Sequence, residues 1–265
     1  MDLGIAGKRA LVLGGNRGIG QAIARALVAE GVHVAITGRD TARNSDAAAE
    51  LRASSAARGA QVSAFSMDLA DTASLSPFAA KLTTDFAPID ILVNNTGGPE
   101  YGGAAGRETA AWSTAFRDMV LSVITLTDAL LPGMRERRFG RVLTVVSSGV
   151  VQPIPILGIS NTLRNSLVAW SKTLSLEAAR DGVTVNVLVP GRIDTERVRL
   201  TDEAVAAREG ITPAQARDRS TASIPMGRYG DPAEFGALAA FVASVPAAYI
   251  TGSMLRCDGG NIRSV

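Results

Sequence analysis

Short apolar runs alternate with longer helical patterns along almost the whole chain. Continuous apolar runs bounded by turn signals predict buried strands, which cover residues 10–13, 32–37, 62–65, 89–93, 142–146, 183–189 and 253–257. Apolar positions three and four apart predict helices, which begin at residue 19 and cover residues 41–58, 72–86, 108–138, 161–180 and about 232–245.

This alternation indicates the fold class, because strands that alternate with helices form parallel sheets covered on both faces. We therefore predict a doubly wound α/β fold in a single domain of residues 1–265. A polar stretch, residues 192–225, interrupts the alternation and contains helical patterns at 203–208 and 213–220. Ligands of such folds bind at the carboxyl ends of the strands, and the distinctive turns of this chain follow predicted strands.

The first predicted strand ends in a glycine-rich turn, Gly14-x3-Gly18-x-Gly20, which includes Asn16 and Arg17. Glycines let the backbone approach an anion closely, and the free N–H groups and dipole at a helix start attract it. A strand before the turn and a helix after it predict a phosphate site. The alternative is a glycine-rich turn that packs for its own sake.

Two arginines lie near the end of the second predicted strand, Arg17 in the glycine turn and Arg39 directly after the strand. In a dinucleotide-binding fold an acidic residue there binds the ribose 2′-hydroxyl, whereas an arginine accommodates a 2′-phosphate. NADP(H) is therefore favoured over NAD(H). Asp40 would serve NAD(H) if Arg39 pointed away, and solvated surface arginines are the other alternative. Asp68, after the third strand, suits the adenine amino group or the N-cap of the next helix.

Composition restricts the class of protein. The 265 residues carry a net charge of +2 and a pI near 9.0 with scattered basic residues, which does not indicate nucleic-acid binding. The start has no secretory signal, and no apolar run is long enough to span a membrane. The single cysteine, Cys257, excludes an intrachain disulfide and fits a reducing compartment, so we expect a cytoplasmic protein. We assign no metal ligands.

Four motifs occur in order along the chain: the glycine turn, Asn94-Asn95-Thr96-Gly97, Pro190-Gly191 and Asp258-Gly259-Gly260. Together they resemble the short-chain dehydrogenase/reductase family, over about residues 8–260. The resemblance implies a seven-stranded Rossmann-like sheet, a nicotinamide cofactor, a small-molecule substrate and a homodimer or homotetramer. The overall pattern is similar to that of oxoacyl-carrier-protein reductases. The cofactor contacts expected on these grounds are Gly14, Asn16, Arg17, Gly18, Ile19, Gly20, Arg39, Asp68, Leu69, Asn95, Gly97, Arg164, Pro190, Gly191 and Ile193.

The reaction centre departs from the family pattern. The resemblance implies an asparagine, a serine and a Tyr-x3-Lys pair on one helix, because residues i and i+4 share a helix face. Counting from shared landmarks places these four at Met119, Ser147, Ser160 and Arg164, so only the serine is retained.

This replacement changes the chemistry. A tyrosine pKa of about 10 is brought toward neutrality by a nearby cation, whereas an aliphatic hydroxyl such as that of Ser160 is a far weaker acid. Ser147 and Ser160 could hydrogen-bond a substrate carbonyl, and Arg164 could hold ribose hydroxyls and place positive charge near a developing oxyanion. Met119 cannot support the water relay of the family's asparagine. The proton would then come from Tyr101, a water or the substrate.

Other features are less informative about chemistry. Residues 152–161 are strongly apolar with two prolines, and we expect them to form a wall over the site. The glycine-rich loop after the fourth strand holds Glu100 and Tyr101, and Tyr101 could reach over the nicotinamide. His33 lies inside the second strand, far from the ligand-binding ends, and Cys257 suits a small buried hydrophobe. Packing roles are expected for Trp112 and Trp170.

Three functions remain open at this point. The first is an NADP(H)-dependent carbonyl reductase with atypical proton delivery, possibly on 3-oxoacyl-like substrates. The second is a non-redox enzyme on the same fold, such as a lyase, dehydratase or isomerase, favoured by the missing tyrosine. The third is a cofactor-binding protein without enzymatic activity. Residues 192–225 look like the family's substrate-covering segment, which a pure sensor would not need, although they could also be mobile surface.

Overall fold

Seven parallel strands form one sheet in the order β3-β2-β1-β4-β5-β6-β7. The structure is a computed structural model that describes residues 1–55, 59–86 and 88–264. The strands are β1 (Arg9–Val12), β2 (His33–Gly38), β3 (Val62–Ser66), β4 (Ile91–Asn94), β5 (Gly140–Val145), β6 (Val183–Pro190) and β7 (Met254–Cys257). All seven predicted strands are confirmed, with ends that shift by at most a few residues.

Nine helices cover the sheet in the described part of the chain. They are α1 (Gly18–Ala29), α2 (Thr41–Ser55), α3 (Thr72–Asp85), α4 (Thr109–Phe116), α5 (Ser122–Glu136), α6 (Gly158–Ala178), α7 (Glu196–Glu209), α8 (Pro213–Ala222) and α9 (Pro232–Val242). No helix among the described residues is both long and apolar enough to cross a membrane. The end of the predicted helix 41–58, residues 56–58, lies outside the described residues.

Alternation along the central strands explains the two covered faces. Ala10 and Val12 of β1 pack into the core beneath α1, α2 and α9, whereas Leu11 belongs to the opposite core with residues of α3 and α5. Successive strand residues point to opposite faces, so an apolar run without polar positions must be buried on both sides. β1 pairs with β2 on one side and β4 on the other. The winding therefore reverses there, and a crevice opens at the carboxyl ends of β1 and β4.

Several helix boundaries differ from the prediction. The single predicted helix 108–138 is interrupted by a π-helical turn, Arg117–Leu121, between α4 and α5. Helix α6 begins at Gly158 rather than at residue 161, because the Gly158 amide is held by the Gly102 carbonyl and the Asn161 side chain by the Ile154 carbonyl. Helix α7 is much longer than 203–208, and α9 ends before 245.

Candidate active site

The glycine turn after β1 has the backbone that an anion site requires. Gly14 and Gly18 have φ angles of +59° and +54°, in the left-handed region that favours glycine. A Cβ on Gly20 would stand 2.2 Å from the Gly14 carbonyl oxygen, so the helix start lies directly against the turn. The first turn of α1 carries no acidic residue. The free N–H groups of this first turn, which includes Ile19, therefore have no carboxylate of the same turn competing with a bound anion.

Asn95 holds this turn against the neighbouring strand. Its side-chain amide donates to the Leu13 carbonyl at 3.1 Å, across the β1–β4 boundary. Asn94, at the end of β4, donates instead to Thr127 of α5. The position predicted to contact the cofactor thus also supports the backbone of the phosphate site. Gly97 follows with no atom within 4 Å of where a Cβ would stand, so the backbone there is open on that side.

Positive charge gathers at the end of β2, as predicted, but with an additional partner. The Glu196 carboxylate of α7 pairs with Arg17 at 3.7 Å and with Arg43 of α2 at 3.6 Å. Arg39, directly after β2, is exposed. Asp40 accepts a hydrogen bond from the Arg43 amide, so its carboxylate caps α2. The predicted alternative, that Asp40 takes a ribose hydroxyl, is disfavoured by this capping bond.

Arg43 and Asn44 lie beside the predicted cofactor residues, and the sequence analysis did not single them out. Asn44 is buried and donates to the carbonyls of Gly38 and Phe65, while its side-chain oxygen accepts from Asn16. Asn44 thereby ties the glycine turn to the ends of β2 and β3. Its only sequence signal is a polar residue in the first turn of a helix, which is too common a pattern to assign a role.

The end of β3 borders a cavity of about 390 Å³ lined by residues of β3 and α3. Asp68 lies on its edge and accepts a hydrogen bond from the Ala70 amide. The N-cap position of α3 is Asp71, so the predicted alternative of Asp68 as the helix N-cap is wrong. Asp68 closes a short turn before the helix and remains exposed toward solvent. Leu69 is half-buried and packs against the core beneath α3.

Arg164 lies beneath the carboxyl ends of β4 and β5. It is 8% exposed, and its guanidinium donates to the Val145 carbonyl at 3.0 Å, the Gly97 carbonyl at 3.0 Å and the Thr96 carbonyl at 3.2 Å. Burial, with a smaller contribution from the charge of Arg197, lowers the Arg164 pKa to about 10. The side chain is therefore still cationic near neutral pH, and it is held by backbone carbonyls rather than by a carboxylate.

The remaining positions of the reaction centre differ in environment. Ser160 is buried one helical turn before Arg164, and within the described residues its hydroxyl has no hydrogen-bond partner. Ser147 follows β5, and its Oγ accepts from the Gly149 amide at 3.2 Å. Met119 is buried in the π-helical turn and packs into the apolar core beside α6. A thioether there offers no strong hydrogen-bonding group.

Two loops border the crevice above these residues. The loop 98–106 pairs with the apolar segment 152–157, since the Gly102 amide donates to the Ile156 carbonyl. Tyr101 is 45% exposed, and its hydroxyl lies 2.8 Å from Thr201 Oγ1 on α7. Ile156 is exposed, so the predicted apolar wall faces solvent in part. Tyr101 thus joins the β4 loop to α7.

The Pro190-Gly191 motif packs directly against the Asp258-Gly259-Gly260 motif. A Cβ on Gly191 would stand 2.5 Å from the Asp258 Cα, so only glycine allows the two loops to meet. Ile193 is buried and forms an isolated bridge with Gly230. The side chain of Thr195 reaches the glycine turn, where its Cγ2 would be 3.6 Å from a Cβ on Gly18.

A buried polar cluster anchors the segment 192–225. The Tyr229 hydroxyl bonds to both carboxylate oxygens of Asp202 at 2.9 Å, and Arg192 approaches the same carboxylate at 3.4 Å. Arg217 lies over the Tyr229 ring and pairs with Asp194 at 2.8 Å. These contacts tie the segment to Tyr229, and its role as a cover over the substrate stays a prediction.

The histidine, the cysteine and the two tryptophans lie in structural environments. His33 accepts a hydrogen bond from the Gln61 amide through Nδ1, and Cys257 is half-buried against the core. Trp112 and Trp170 pack against apolar clusters. Among the described residues, no group of three or more His, Cys, Asp or Glu side chains is arranged to hold a metal ion.

Comparison with known proteins decides the family. Residues 14–261 match the family described as Enoyl-(Acyl carrier protein) reductase. The chain is 35% identical over 257 residues to the 3-oxoacyl-[acyl-carrier-protein] reductase FabG of Escherichia coli, covering 96% of this chain and 97% of that protein. It is 32% identical over 255 residues to a D-beta-hydroxybutyrate dehydrogenase of Cupriavidus necator, with 96% and 97% covered. The chain belongs to the short-chain dehydrogenase/reductase family.

A solved structure extends this agreement to the whole fold. The L-sorbose reductase from Gluconobacter frateurii, complexed with NADPH and L-sorbose, superposes with a TM-score of 0.94 at 29% identity and covers 100% of both chains. The predicted fold and short-chain dehydrogenase/reductase resemblance are confirmed. Names of the relatives as reductases and dehydrogenases agree with the predicted oxidoreductase, and the NADPH complex agrees with the predicted cofactor.

Proposed function

We propose that this protein is an NADP(H)-dependent carbonyl reductase whose reaction centre uses a buried serine–arginine pair instead of tyrosine and lysine. The observation that carries the proposal is the position of Arg164. Its cationic guanidinium lies where the ends of β4 and β5 meet, one helical turn from Ser160. Positive charge held in a buried site stabilises a developing oxyanion more strongly than the same charge in water.

The strand-end residues fit the cofactor. The turn Gly14–Gly20 and the start of α1 suit the diphosphate, and Arg17, Arg39 and Arg43 suit a 2′-phosphate. The adenine side is bounded by Asp68 and Leu69. On the nicotinamide side the contact candidates are Asn95, Gly97, Arg164, Pro190, Gly191 and Ile193. Bound NADPH supplies the hydride, while the protein supplies orientation and electrostatics.

Two hydroxyls are candidates to bind the substrate carbonyl. Ser147 stands directly after β5, and the Ser160 hydroxyl is free of partners among the described residues. Both can donate a hydrogen bond, and Arg164 adds charge behind them. Neither hydroxyl is acidic enough to deliver a proton as a tyrosine would. The proton comes from Tyr101, from water or from the substrate, and Tyr101 borders the crevice through its contact with Thr201.

The test is to mix the protein with NADPH and a panel of ketones, oxo esters and quinones. The loss of NADPH absorbance measures the oxidation of the cofactor. Ser160→Ala and Ser147→Ala are expected to lower kcat/KM by about 10- to 100-fold each, the range for a hydrogen bond to a charged group. Arg164→Lys is expected to lower kcat/KM further, because one ammonium cannot reach all three carbonyls.

Tyr101→Phe separates the possible proton sources: an unchanged kcat assigns the proton to water or substrate. Flat traces beside confirmed NADPH binding would count against the reductase.

A non-redox enzyme is the second candidate, favoured by the lack of an acidic hydroxyl at Ser160. Product analysis with and without cofactor distinguishes the two, since a lyase or isomerase turns over without consuming NADPH. NADPH binding without turnover on any substrate would instead indicate a sensor.

We further propose a cytoplasmic homodimer or homotetramer. The single cysteine fits a reducing compartment. Large apolar side chains exposed on the chain surface suit contacts between copies, among them Phe116, Leu121, Leu176, Tyr249 and Met254.

A further inference from the structure

Arg197 of α7 is exposed at the rim of the crevice, and its guanidinium lies against the loop after β4. A Cβ on Gly98 would stand 2.6 Å from its Nη2 atom and 3.2 Å from Nη1 and Cζ, so the guanidinium lies directly on the glycine. Within the described residues no carboxylate or carbonyl accepts a hydrogen bond from it. Gly98 follows Gly97, whose carbonyl is bound by Arg164.

The other arginines of the covering segment are all paired. Residues 192–225 are fully described and contain six arginines, of which Arg197 alone has no carboxylate partner. Its neighbour along the helix, Arg199, bonds to Asp194 at 3.1 Å. The remaining ion pairs join Arg192 to Asp202, Arg208 to Glu209, Arg217 to Asp194 and Arg219 to Glu209. Five of the six arginines thus share three carboxylates, whereas Arg197, which lies against Gly98 at the crevice, has none.

A second positive charge lies near Arg197, while the carboxylate of the adjacent Glu196 is paired with Arg17 and Arg43. The charge of Arg197 is close enough to the buried Arg164 to help lower the pKa of that side chain. Arg197 also lies in the first turn of α7, where the helix dipole is positive and a cation is unfavourable. Two guanidinium groups and a helix start therefore repel one another in this part of the crevice, and an anion placed between them would relieve that repulsion.

We propose that Arg197 binds a carboxylate of the substrate, so that this enzyme reduces short oxo acids rather than neutral ketones. The inference rests on the proposed function and names its substrate class. The carboxylate accepts two hydrogen bonds from the Arg197 guanidinium, a geometry for which arginine is suited. The adjacent carbonyl carbon is then directed toward Ser160 and Arg164.

The phosphates of the cofactor would have other partners. The diphosphate would lie at the glycine turn and the start of α1, and a 2′-phosphate would lie at Arg17 and Arg43. Arg197 lies instead on Gly98, at the start of the loop that carries Tyr101. We therefore assign that side of the crevice to the substrate.

The experiment measures binding to the NADPH complex of the full chain by isothermal titration calorimetry, so that it does not depend on turnover. Short 2-oxo, 3-oxo and 4-oxo acids are each compared with their methyl esters. The variants are Arg197→Met, Arg197→Lys and, as a control with the same change in net charge on the same helix, Arg199→Met. The dissociation constant of NADPH is measured for each.

At least one acid is expected to bind the wild type about 10- to 100-fold more tightly than its ester, the range for a charged hydrogen bond. Arg197→Met removes this preference, Arg197→Lys retains part of it, and Arg199→Met retains it. Binding of acids no tighter than esters overturns the inference. So does an Arg197→Met variant that loses NADPH affinity and weakens acid and ester equally, which assigns Arg197 to the diphosphate. Acid-selective binding without NADPH oxidation refutes the reductase and leaves the carboxylate site standing.

Discussion

At the scale of single residues, Glu196 stands where a phosphate would be expected. Its carboxylate is shared by Arg17 and Arg43, both partly exposed, at distances of 3.7 and 3.6 Å. A 2′-phosphate that approaches the same guanidinium groups must displace this carboxylate or share the arginines with it. Exposed ion pairs of this kind contribute only about 0–1 kcal/mol each, so the competition is mild.

We therefore expect Glu196→Gln to bind NADPH about three- to tenfold more tightly than the wild type. The dissociation constant of NADH should stay unchanged, because NADH has no 2′-phosphate to be repelled. Fluorescence titration with both cofactors measures this. Glu203→Gln, an exposed site on the same helix, is the matched control and should leave both constants unchanged. Weaker NADPH binding by Glu196→Gln would show that the carboxylate orders the arginines instead of competing.

At the scale of elements, the start of β2 carries the chain's only histidine. Burial, and secondarily the charge of Arg9, lower the pKa of His33 below its ordinary value, and the neutral ring accepts a bond from the Gln61 amide between β2 and β3. A group with a lowered pKa in the folded state contributes stability above its unfolded pKa of about 6.5. That contribution is lost as the pH falls through the folded pKa.

The wild type should consequently lose thermal stability between pH 7.5 and 5, and His33→Asn should lose less over the same interval. The Asn amide oxygen can accept the Gln61 bond but does not titrate. Melting temperatures of both proteins at several pH values measure the difference. Parallel pH profiles for the two proteins would contradict the assignment.

Elements also show where sequence reasoning reached its limit. The seven strands and the glycine turn between β1 and α1 could be predicted, because apolar runs and glycine spacing are local signals. The π-helical turn at Arg117–Leu121 could not be predicted. The early start of α6 could not be predicted either, because it depends on a hydrogen bond from the Gly158 amide to the distant Gly102 carbonyl. The positions of Arg43 and Arg197 likewise follow from long-range packing. The positions of Ser160 and Arg164 in place of a tyrosine and a lysine could be predicted only from the resemblance to the family.

At the scale of the whole molecule, exposed apolar side chains indicate how copies associate. Phe116 and Leu121 are 40% and 41% exposed at the two ends of the π-helical turn. Full burial of an exposed side chain of this size contributes about 1.5–3 kcal/mol, so burial of the part still exposed contributes about 1 kcal/mol for each. We expect the double variant Phe116→Glu and Leu121→Glu to form a smaller assembly than the wild type.

Light scattering after size-exclusion chromatography measures the masses. Leu200→Glu, an exposed apolar site on α7, is the control that should leave the assembly intact. A wild type that is monomeric, or a double variant with unchanged mass, would place the interface elsewhere.

One guanidinium in this fold has two duties. Arg164 closes the ends of neighbouring strands by binding three carbonyls, and in the proposed function it also carries the charge of the reaction centre. A sequence that lost the arginine before it gained a tyrosine and a lysine would leave three backbone carbonyls without hydrogen bonds. Such an intermediate would be less stable than either end point, so few orders of substitution connect this centre with a tyrosine–lysine one.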